Sequence, residues 1–477
     1  MQRVLTNSQM RYADEYTITR LNVPSQELMH RAGGAIAKTV QEVLKEISAY
    51  SVTVVCGTGN NGGDGYVCAE ILRAAGVNVA VYAFDGNFSA DCEKVKSLYK
   101  GKYTDKLNAD IIVDCILGTG LDREVSGKYR QVIDEINLCR SFVISADIPS
   151  GINGNNGLIC GSAVKADITV AIGEYKTGHF LNDGLDCCGK LTKCNIDIVC
   201  PETGYAEIAQ DDDIEEFFPK RKRNSNKGSY GVANIVAGSD KYIGAVKLSA
   251  EGALRSGCGY VKITTSDKAK FALLPSMPQA IFLDEIDKTA NAIAIGMGCG
   301  VSQTLYNDIK KLLKNYGGTL LIDADGINTL AKYGKETLLD KNCKVILTPH
   351  IKEFSRLTGY TVQEIVSDSV NLAKNFAKEY DVIINLKSAA SIITDGERVA
   401  INIKGSSALA KGGSGDILSG ITCGTLARSV APFEACLCSA YALGLSAEIT
   451  SEDKGDYCAT ANDILKNLHN AVKRLTK

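Results

Sequence analysis

Ser51-Val-Thr-Val-Val-Cys-Gly-Thr-Gly-Asn-Asn-Gly-Gly-Asp-Gly-Tyr66 is the stretch on which the reading of this chain turns. The β-branched run at residues 52–55 predicts a buried parallel strand, the glycines and asparagines a turn, and residues 64–75 a helix. Such a junction aims several backbone NH groups outward at the positive end of a helix dipole, which suits a pyrophosphate. Gly57-Thr-Gly-Asn-Asn-Gly62 fits G-x-G-x-x-G, with Asp85 where a dinucleotide fold places its ribose acid, but that pattern alone is weak. Its side chains set the loop apart. Asn60, Asn61 and Asp64 bring oxygens to a mouth where pyrophosphate needs only backbone, and extra oxygens suit a hard cation or acid-base work. Asparagines that tolerate left-handed turn geometry, with Asp64 as a helix cap, account for the same residues.

The 477 residues are enough for two or three domains, each with a sizeable core. A net charge of -2 offers no electrostatic case for nucleic acid, so small-molecule substrates are expected. The polar start at residues 1–12 and the lack of a span-length apolar run predict a cytoplasmic protein without a membrane partner. Seventeen cysteines without a C-x-x-C, and only four histidines, indicate neither a zinc site nor a disulfide framework. They read as reduced, small apolar residues.

Residues 8–16 and 25–40 read as helices, the second capped by Ser25 after Pro24, with Leu28, Met29, Ala32, Ile36 and Val40 on a buried face. A third strand, Ile111-Ile-Val-Asp-Cys115, leads to Leu117-Gly-Thr-Gly-Leu-Asp-Arg-Glu124. Asp114 in that apolar run needs a cation, NH donors or the open end of the sheet. A fourth strand at 142–146 ends in Asp147-Ile-Pro-Ser-Gly151, and a fifth at 167–172 leads to a loop whose Lys176 reads as solvated. In an open parallel sheet ligands bind at the carboxyl ends of strands, so Asn61, Asp114, Asp147 and Ser150 are expected to converge on one crevice.

Asn60-Asn-Gly-Gly-Asp-Gly65, Val113-Asp-Cys-Ile-Leu-Gly-Thr-Gly120 and Ala146-Asp-Ile-Pro-Ser-Gly151, in this order, resemble the NAD(P)H-hydrate epimerase family over roughly residues 1–210. The resemblance implies a hydrated nicotinamide dinucleotide bound by Asn60, Asn61, Gly62, Gly63 and Asp64, by Gly118, Thr119, Gly120, Leu121, Asp122, Arg123 and Glu124, and by Asp147 as catalytic residue. It also implies a potassium ion on Asn61, Asp114 and Ser150. Where the family usually carries an acid in the helix before the first strand, this chain has His30.

The charge flips from Asp211-Asp-Asp-Ile-Glu-Glu216 to Lys220-Arg-Lys-Arg223, a linker signature with a solvated basic start to the next domain. Boundaries of 1–212, 213–224 for the linker and 225–477 follow. The second half again alternates strands and helices: strands at 260–264, 292–295, 320–322 and 345–347 end in Gly296-Met-Gly-Cys-Gly300, Asp323-Ala-Asp-Gly326 and Thr348-Pro-His350. Lys411-Gly-Gly-Ser-Gly-Asp416 then opens an apolar helix at 417–426. Its glycines free the backbone to aim NH groups at a transferring phosphate, and Asp416 stands at the helix start as a general base.

This loop is similar to that of the ribokinase-like superfamily. With Tyr242-Ile-Gly-Ala245, Thr348-Pro-His350 and Asp323-Ala-Asp325 in place, residues 225–475 resemble the ADP- or ATP-dependent NAD(P)H-hydrate dehydratases. The resemblance implies that Ala245, Gly298, His350 and Asp416 contact the hydrated nucleotide, with Asp416 catalytic. It assigns Lys387, Ser388, Ala389, Ala390, Ser391 and Gly415 to ADP or ATP with magnesium. Three departures stand out: Asn226-Lys-Gly228 for the usual His-Lys-Gly, Lys387-Ser-Ala-Ala-Ser391 for Lys-Gly-Ala-x-Thr, and Gly413-Ser-Gly-Asp416 for Gly-Thr-Gly-Asp. The expected fold is α/β with two doubly wound domains, a Rossmann-like sheet followed by a ribokinase-like one. The expected protein is a homo-oligomer that epimerises hydrated NADH and NADPH and dehydrates the S epimer. The competing reading is a ribokinase-like small-molecule kinase with a non-catalytic nucleotide-binding module in front.

Overall fold

A computed structural model describes residues 1–201 and 204–476. The chain divides into two compact units, Arg3–Tyr205 and Ala206 onward, the latter including Met1–Gln2. Residues 213–224, expected to be a linker, belong to the second unit, where Ile214 and Phe218 lie in its core.

Seven strands build the first unit's sheet in the order Lys102–Tyr103, Asn78–Ala83, Ser51–Cys56, Ile111–Cys115, Phe142–Ala146, Ile168–Ile172 and Lys190–Cys194. Every neighbouring pair is parallel. Val54, Cys56, Val113 and Ile144 bury on one face, under helices Ser25–Glu46 and Asn60–Ala74. Val55, Ile112 and Val143 bury on the other, with Val132, Ile133 and Ile136 of helix Gly127–Leu138. Burial on both faces is why these strands read as unbroken apolar runs rather than as alternating ones. From Ser51–Cys56 the chain winds outward to Lys102–Tyr103, then returns to the opposite side at Ile111–Cys115. The strand order therefore reverses between these two central strands, and their carboxyl ends diverge into a crevice.

Helix Ser25–Glu46 buries Leu28, Met29, Ala32, Ile36 and Val40, as its spacing predicts. Pro24 holds its N-cap position with no side-chain cap, so Ser25 is the first helical residue rather than the cap. A larger difference concerns the glycine loop. The helix starts at Asn60, not Asp64, so Gly62, Gly63 and Gly65 lie inside its first turns. They serve close approach rather than a turn. A Cβ on Gly62 would lie 2.0 Å from the Gly57 carbonyl oxygen, and one on Gly65 would lie 2.8 Å from the Cys56 sulfur.

The second unit's sheet runs Ile281–Leu283, Tyr260–Thr264, Val232–Val236, Ala292–Ile295, Thr319–Ile322, Lys344–Leu347, Ile383–Leu386, Ser391–Thr394, Val399–Asn402 and Ala206–Ile208. It is parallel up to Ile383–Leu386 and antiparallel through the next two pairs. Here too the order reverses, between Val232–Val236 and Ala292–Ile295. Helix Ser414–Ala427 lies in the core against helix Ile243–Arg255 at backbone distance: a Cβ on Gly420 would lie 1.9 Å from the Ser249 carbonyl oxygen. Both units thus carry the expected α/β sheets. All seventeen cysteines are free, most of them buried. Among the described residues no helix is long and apolar enough to cross a membrane.

Candidate functional sites

At the switch point of the first sheet lies a cavity of about 580 Å³. Its lining includes Asn60, Asn61, Asp64, Gly118, Thr119, Gly120, Leu121, Asp122, Arg123 and Asp147, drawn from three strand ends. Gly62 and Gly63 are buried within the first turn of helix Asn60–Ala74 and outside the lining, Glu124 is exposed outside it, and Asp85 does not reach it. His30 is exposed and likewise lies outside. The carboxyls that do face this cavity are Asp14, Asp64, Asp91, Asp122 and Asp147.

Asp147 adopts a left-handed backbone with φ 65°, a conformation uncommon for any residue but glycine. Several contacts hold it there. Its NH donates to the Val170 carbonyl at 2.8 Å, and its Oδ1 accepts from the Ile172 NH at 3.2 Å. Its carboxylate is ion-paired with the Lys176 ammonium. Lys176, expected to be a solvated loop lysine, is 1% exposed and also donates to the Ile172 carbonyl at 2.7 Å. The correction has a plain cause: strand Tyr175–Lys176 pairs with Gln2–Leu5, which draws the lysine inward. His179 completes the support. Its Nδ1 accepts from the Lys176 NH at 3.1 Å, which places its proton on Nε2, 2.8 Å from the Asp147 carbonyl oxygen. Burial, reinforced by the Lys176 charge, pushes His179 down to about 4, so it stays neutral.

Asp64 has no such cation. Burial first, then the neighbouring Asp147 and Asp14 charges, raise it well above the usual carboxylate range despite Lys176. Asp14, on helix Asn7–Thr19, is pushed up to about 6 by burial and Asp147 against the opposing Lys176. The sequence reading did not single it out. Met10, Asp14 and Ile18 all line the cavity at helical spacing, a signal present in the sequence but tied to no motif.

Behind this wall Asp114 is fully buried, and four donors converge on its carboxylate. Ser145 Oγ and the Ser150 NH reach Oδ2 at 2.8 Å each, while Ser150 Oγ and the Ile116 NH reach Oδ1 at 2.5 and 3.2 Å. Burial still raises Asp114 above its ordinary value, against the pull of those hydrogen bonds. Ser150 Oγ also accepts from the Leu117 NH at 2.8 Å and lies 3.0 Å from the Leu117 carbonyl oxygen. One hydroxyl proton cannot serve both Asp114 and that carbonyl, so oxygen lone pairs face one another. Asn61 packs against the adjacent Gly118, and its amide oxygen and nitrogen are both buried without a hydrogen-bond partner among the described residues. Orphaned buried amides are rare enough to need a reason.

The second unit assembles its acids at the same end of its sheet. Gly298, with φ 65°, presses so close that a Cβ would lie 2.9 Å from Ala245 Cβ and 2.7 Å from Tyr242 Cβ, which brings two of the expected substrate contacts together at the switch point. Asp323, 1% exposed, accepts from Lys387 Nζ at 2.8 Å and from Ser419 Oγ at 2.6 Å. Burial pulls Lys387 down, but Asp323, Glu353 and Asp416 more than offset it, and the ammonium ends above its ordinary value. Its Nζ lies 3.3 Å from where a Gly415 Cβ would stand, so the lysine faces the glycine loop. Asp416, in the first turn of helix Ser414–Ala427, is pushed up to about 6 by burial and Asp323 against Lys387.

His350 is the N-cap of helix Ile351–Thr358: its Nδ1 accepts from the Lys352 and Glu353 NH groups at 3.1 and 3.2 Å. The ring is therefore neutral with Nε2 carrying the proton, and burial and Lys387 lower its pKa. His350 bridges to Lys387 by its backbone, beside the same cluster. Ser388 donates to the Ala390 carbonyl at 2.6 Å, Ala389 is exposed, Ala390 is buried and Ser391 opens the next strand. Ser414 Oγ, where the family pattern has a threonine, is buried without a partner among the described residues at the head of the phosphate-type loop.

Comparison with known proteins gives a consistent result along the chain. Residues 233–470 match a family profile described as NAD(P)H-hydrate dehydratase, and residues 25–178 match one described as YjeF-related protein N-terminus. The bifunctional NAD(P)H-hydrate repair enzyme Nnr of Pyrobaculum aerophilum is 30% identical, covering 98% of this chain and 98% of its own. That of Coxiella burnetii is 30% identical, covering 97% of this chain and 98% of its own. Among solved structures, the ADP/ATP-dependent NAD(P)H-hydrate dehydratase from Bacillus subtilis, co-crystallized with ATP/Mg2+, is 31% identical with a TM-score of 0.52, covering 57% of this chain and 99% of that one.

Proposed function

The chain belongs to the family of bifunctional NAD(P)H-hydrate repair enzymes, and from that premise we propose how its two sites divide the work. The first unit interconverts the R and S epimers of hydrated NADH and NADPH, and the second dehydrates the S epimer to NAD(P)H at the expense of ADP or ATP. The observation that carries this reading is that each sheet reverses its strand order once and each unit gathers its own cluster of acids. Asp147 stands in one and Asp416 in the other.

In the first crevice, Asp147 is ion-paired with Lys176 and oriented by His179, and acts as the proton acceptor beside the substrate hydroxyl. The residues expected to hold potassium fit such an ion. One buried carboxylate, a serine hydroxyl and an otherwise orphaned amide oxygen form a hard oxygen set of low charge, suited to a monovalent rather than a divalent cation. When bound at Asn61, Asp114 and Ser150, the ion supplies a fixed positive charge near the anionic dinucleotide.

At the second site the leaving hydroxide is poor, so phosphoryl transfer to the substrate hydroxyl precedes elimination. Asp416 accepts the hydroxyl proton, and residues 412–415 hold the phosphoryl oxygens with their amides. Lys387, fixed by Asp323, faces the same oxygens, while Ser414 Oγ is free to donate to them. Magnesium supplies charge neutralisation on the nucleotide phosphates. Lys387 is thereby assigned to the phosphate end of the nucleotide.

A mixture of R and S hydrated NADH, incubated with enzyme, nucleotide, magnesium and potassium, tests the reading through absorbance of the restored dihydronicotinamide. Complete recovery, faster than spontaneous epimer exchange and dependent on nucleotide, is expected. A plateau at the S fraction would remove the first activity, and recovery without nucleotide would remove the second.

A further inference from the structure

Epimerisation at a carbon bearing both hydroxyl and ring nitrogen requires a proton acceptor and a proton donor in one cavity. The acceptor is present in the Asp147 carboxylate, ion-paired with Lys176, and a group that is taking the hydroxyl proton is not at the same moment the donor to nitrogen. Lys176 is committed to Asp147 and the Ile172 carbonyl. His179 is neutral, with its Nε2 proton engaged by the Asp147 carbonyl. Of the other carboxyls in the cavity, Asp91 pairs with Lys94, Asp122 is exposed, and Asp64 is raised so far by burial that it releases a proton less readily than Asp14.

Helix Asn7–Thr19 forms one wall of the cavity, and Met10, Asp14 and Ile18 are the residues it turns inward. Between an apolar methionine and an apolar isoleucine, Asp14 has no ion-pair partner among the described residues, and no side-chain hydrogen bond consumes its carboxyl. We propose that Asp14 is a second catalytic residue of the first unit, the general acid that works opposite Asp147. This inference rests on the epimerase reading of that unit. A carboxyl displaced to about 6 by burial stands close to working pH, where a group both holds and releases a proton readily.

The presence of a second, nucleotide-consuming site selects the bond that breaks. Loss of the hydroxyl would leave an iminium whose neighbouring CH₂ group needs only to shed a proton to become dihydronicotinamide, and nucleotide would then be redundant. Cleavage of the carbon–nitrogen bond avoids this. Asp147 takes the hydroxyl proton, the oxygen pair forms the carbonyl, the carbon–nitrogen pair moves onto nitrogen, and Asp14 protonates it. Rotation of the open-chain aldehyde presents its other face. Nitrogen then attacks, its proton returns to Asp14, and Asp147 gives its proton back to oxygen. Both carboxyls finish each turnover as they began it, with nothing oxidised or reduced.

The test uses the full-length enzyme with ATP, magnesium and potassium and follows each epimer of hydrated NADH separately. Asp14→Asn is expected to slow consumption of the R epimer at saturating substrate by about 10² to 10⁴-fold. Consumption of the S epimer should be unchanged, and Asp14→Glu should regain part of the loss. Wild-type turnover of the R epimer by Asp14→Asn, or a change confined to KM, overturns the assignment. A wild-type enzyme that consumes the R epimer no faster than spontaneous exchange sinks the epimerase reading itself, and Asp14 with it.

Discussion

Asp416 illustrates how one side chain is asked to do two incompatible things. Burial and Asp323 raise its carboxyl to about 6, while a general base must be ionised to work. Dehydration should therefore fall about tenfold per pH unit below about pH 6, rather than below the usual carboxylate range, when kcat/KM for the S epimer is followed against pH. The same shift has a stability consequence with a definite sign. A carboxyl whose folded pKa lies above its unfolded value favours folding while protonated, and that contribution is lost as pH rises through about 6. Asp416→Asn removes the ionisation altogether. It should lose about 10² to 10⁴-fold in dehydration yet melt at a higher temperature than wild type at pH 8, with the difference gone below about pH 3, where the carboxyl is protonated folded and unfolded alike. Equal melting temperatures at pH 8 would contradict the burial on which the shift depends. Asp416 itself was legible in the sequence because it follows three glycines at a helix start. Lys176 was not, because its burial depends on pairing with Gln2–Leu5 and on an aspartate 29 residues earlier. Nor was the Lys387–Asp323 contact, which spans 64 residues.

At the scale of elements, the central strands of both sheets were plain in the sequence, since burial on two faces writes itself as a β-branched run. Ile111–Cys115, Phe142–Ala146, Tyr260–Thr264 and Ala292–Ile295 fall where the pattern placed them. Glycines were harder to read, because a turn and a close helix contact select the same residue. Gly62 and Gly63 read as turn residues and are helical; with Gly65 they let Asn60–Ala74 approach Gly57 and the cysteine sulfurs. Helix Ser414–Ala427 uses the device again. Gly420 lies against the Ser249 carbonyl and Gly424 against Ser256, so the helix and its Asp416 are set relative to Ala245 at the start of the facing helix. A methyl group at Gly420 would meet backbone at 1.9 Å and force the pair apart. Gly420→Ala should therefore depress dehydration at least as much as it depresses stability, because about 1 Å of misplacement can cost on the order of 10²-fold in rate. R-to-S conversion by the first unit should persist. Unimpaired dehydration by this variant would show that the spacing of these helices does not position the base.

For the whole molecule, the decisive feature is that the described residues of each site fall within one unit. The first cavity is lined by residues between Met10 and Ile196. The Asp323, Lys387 and Asp416 cluster with its helix contacts falls between Tyr242 and Gly424. Both lie on one chain, yet nothing in the chemistry requires the S epimer to remain bound between the two steps, since it is the product of one site and a free substrate of the other. An equal mixture of Asp147→Asn and Asp416→Asn proteins should accordingly recover the R epimer completely, although neither variant does so alone. The rate should rise with the concentration of each variant, as expected when the intermediate is exchanged through solution. Chromatographic analysis of both epimers over time supplies the check. The S epimer should accumulate with Asp416→Asn alone, and the R epimer should persist with Asp147→Asn beyond its spontaneous exchange. Failure of the mixture, with each variant active in its intact half, would mean that the two reactions must occur on the same polypeptide.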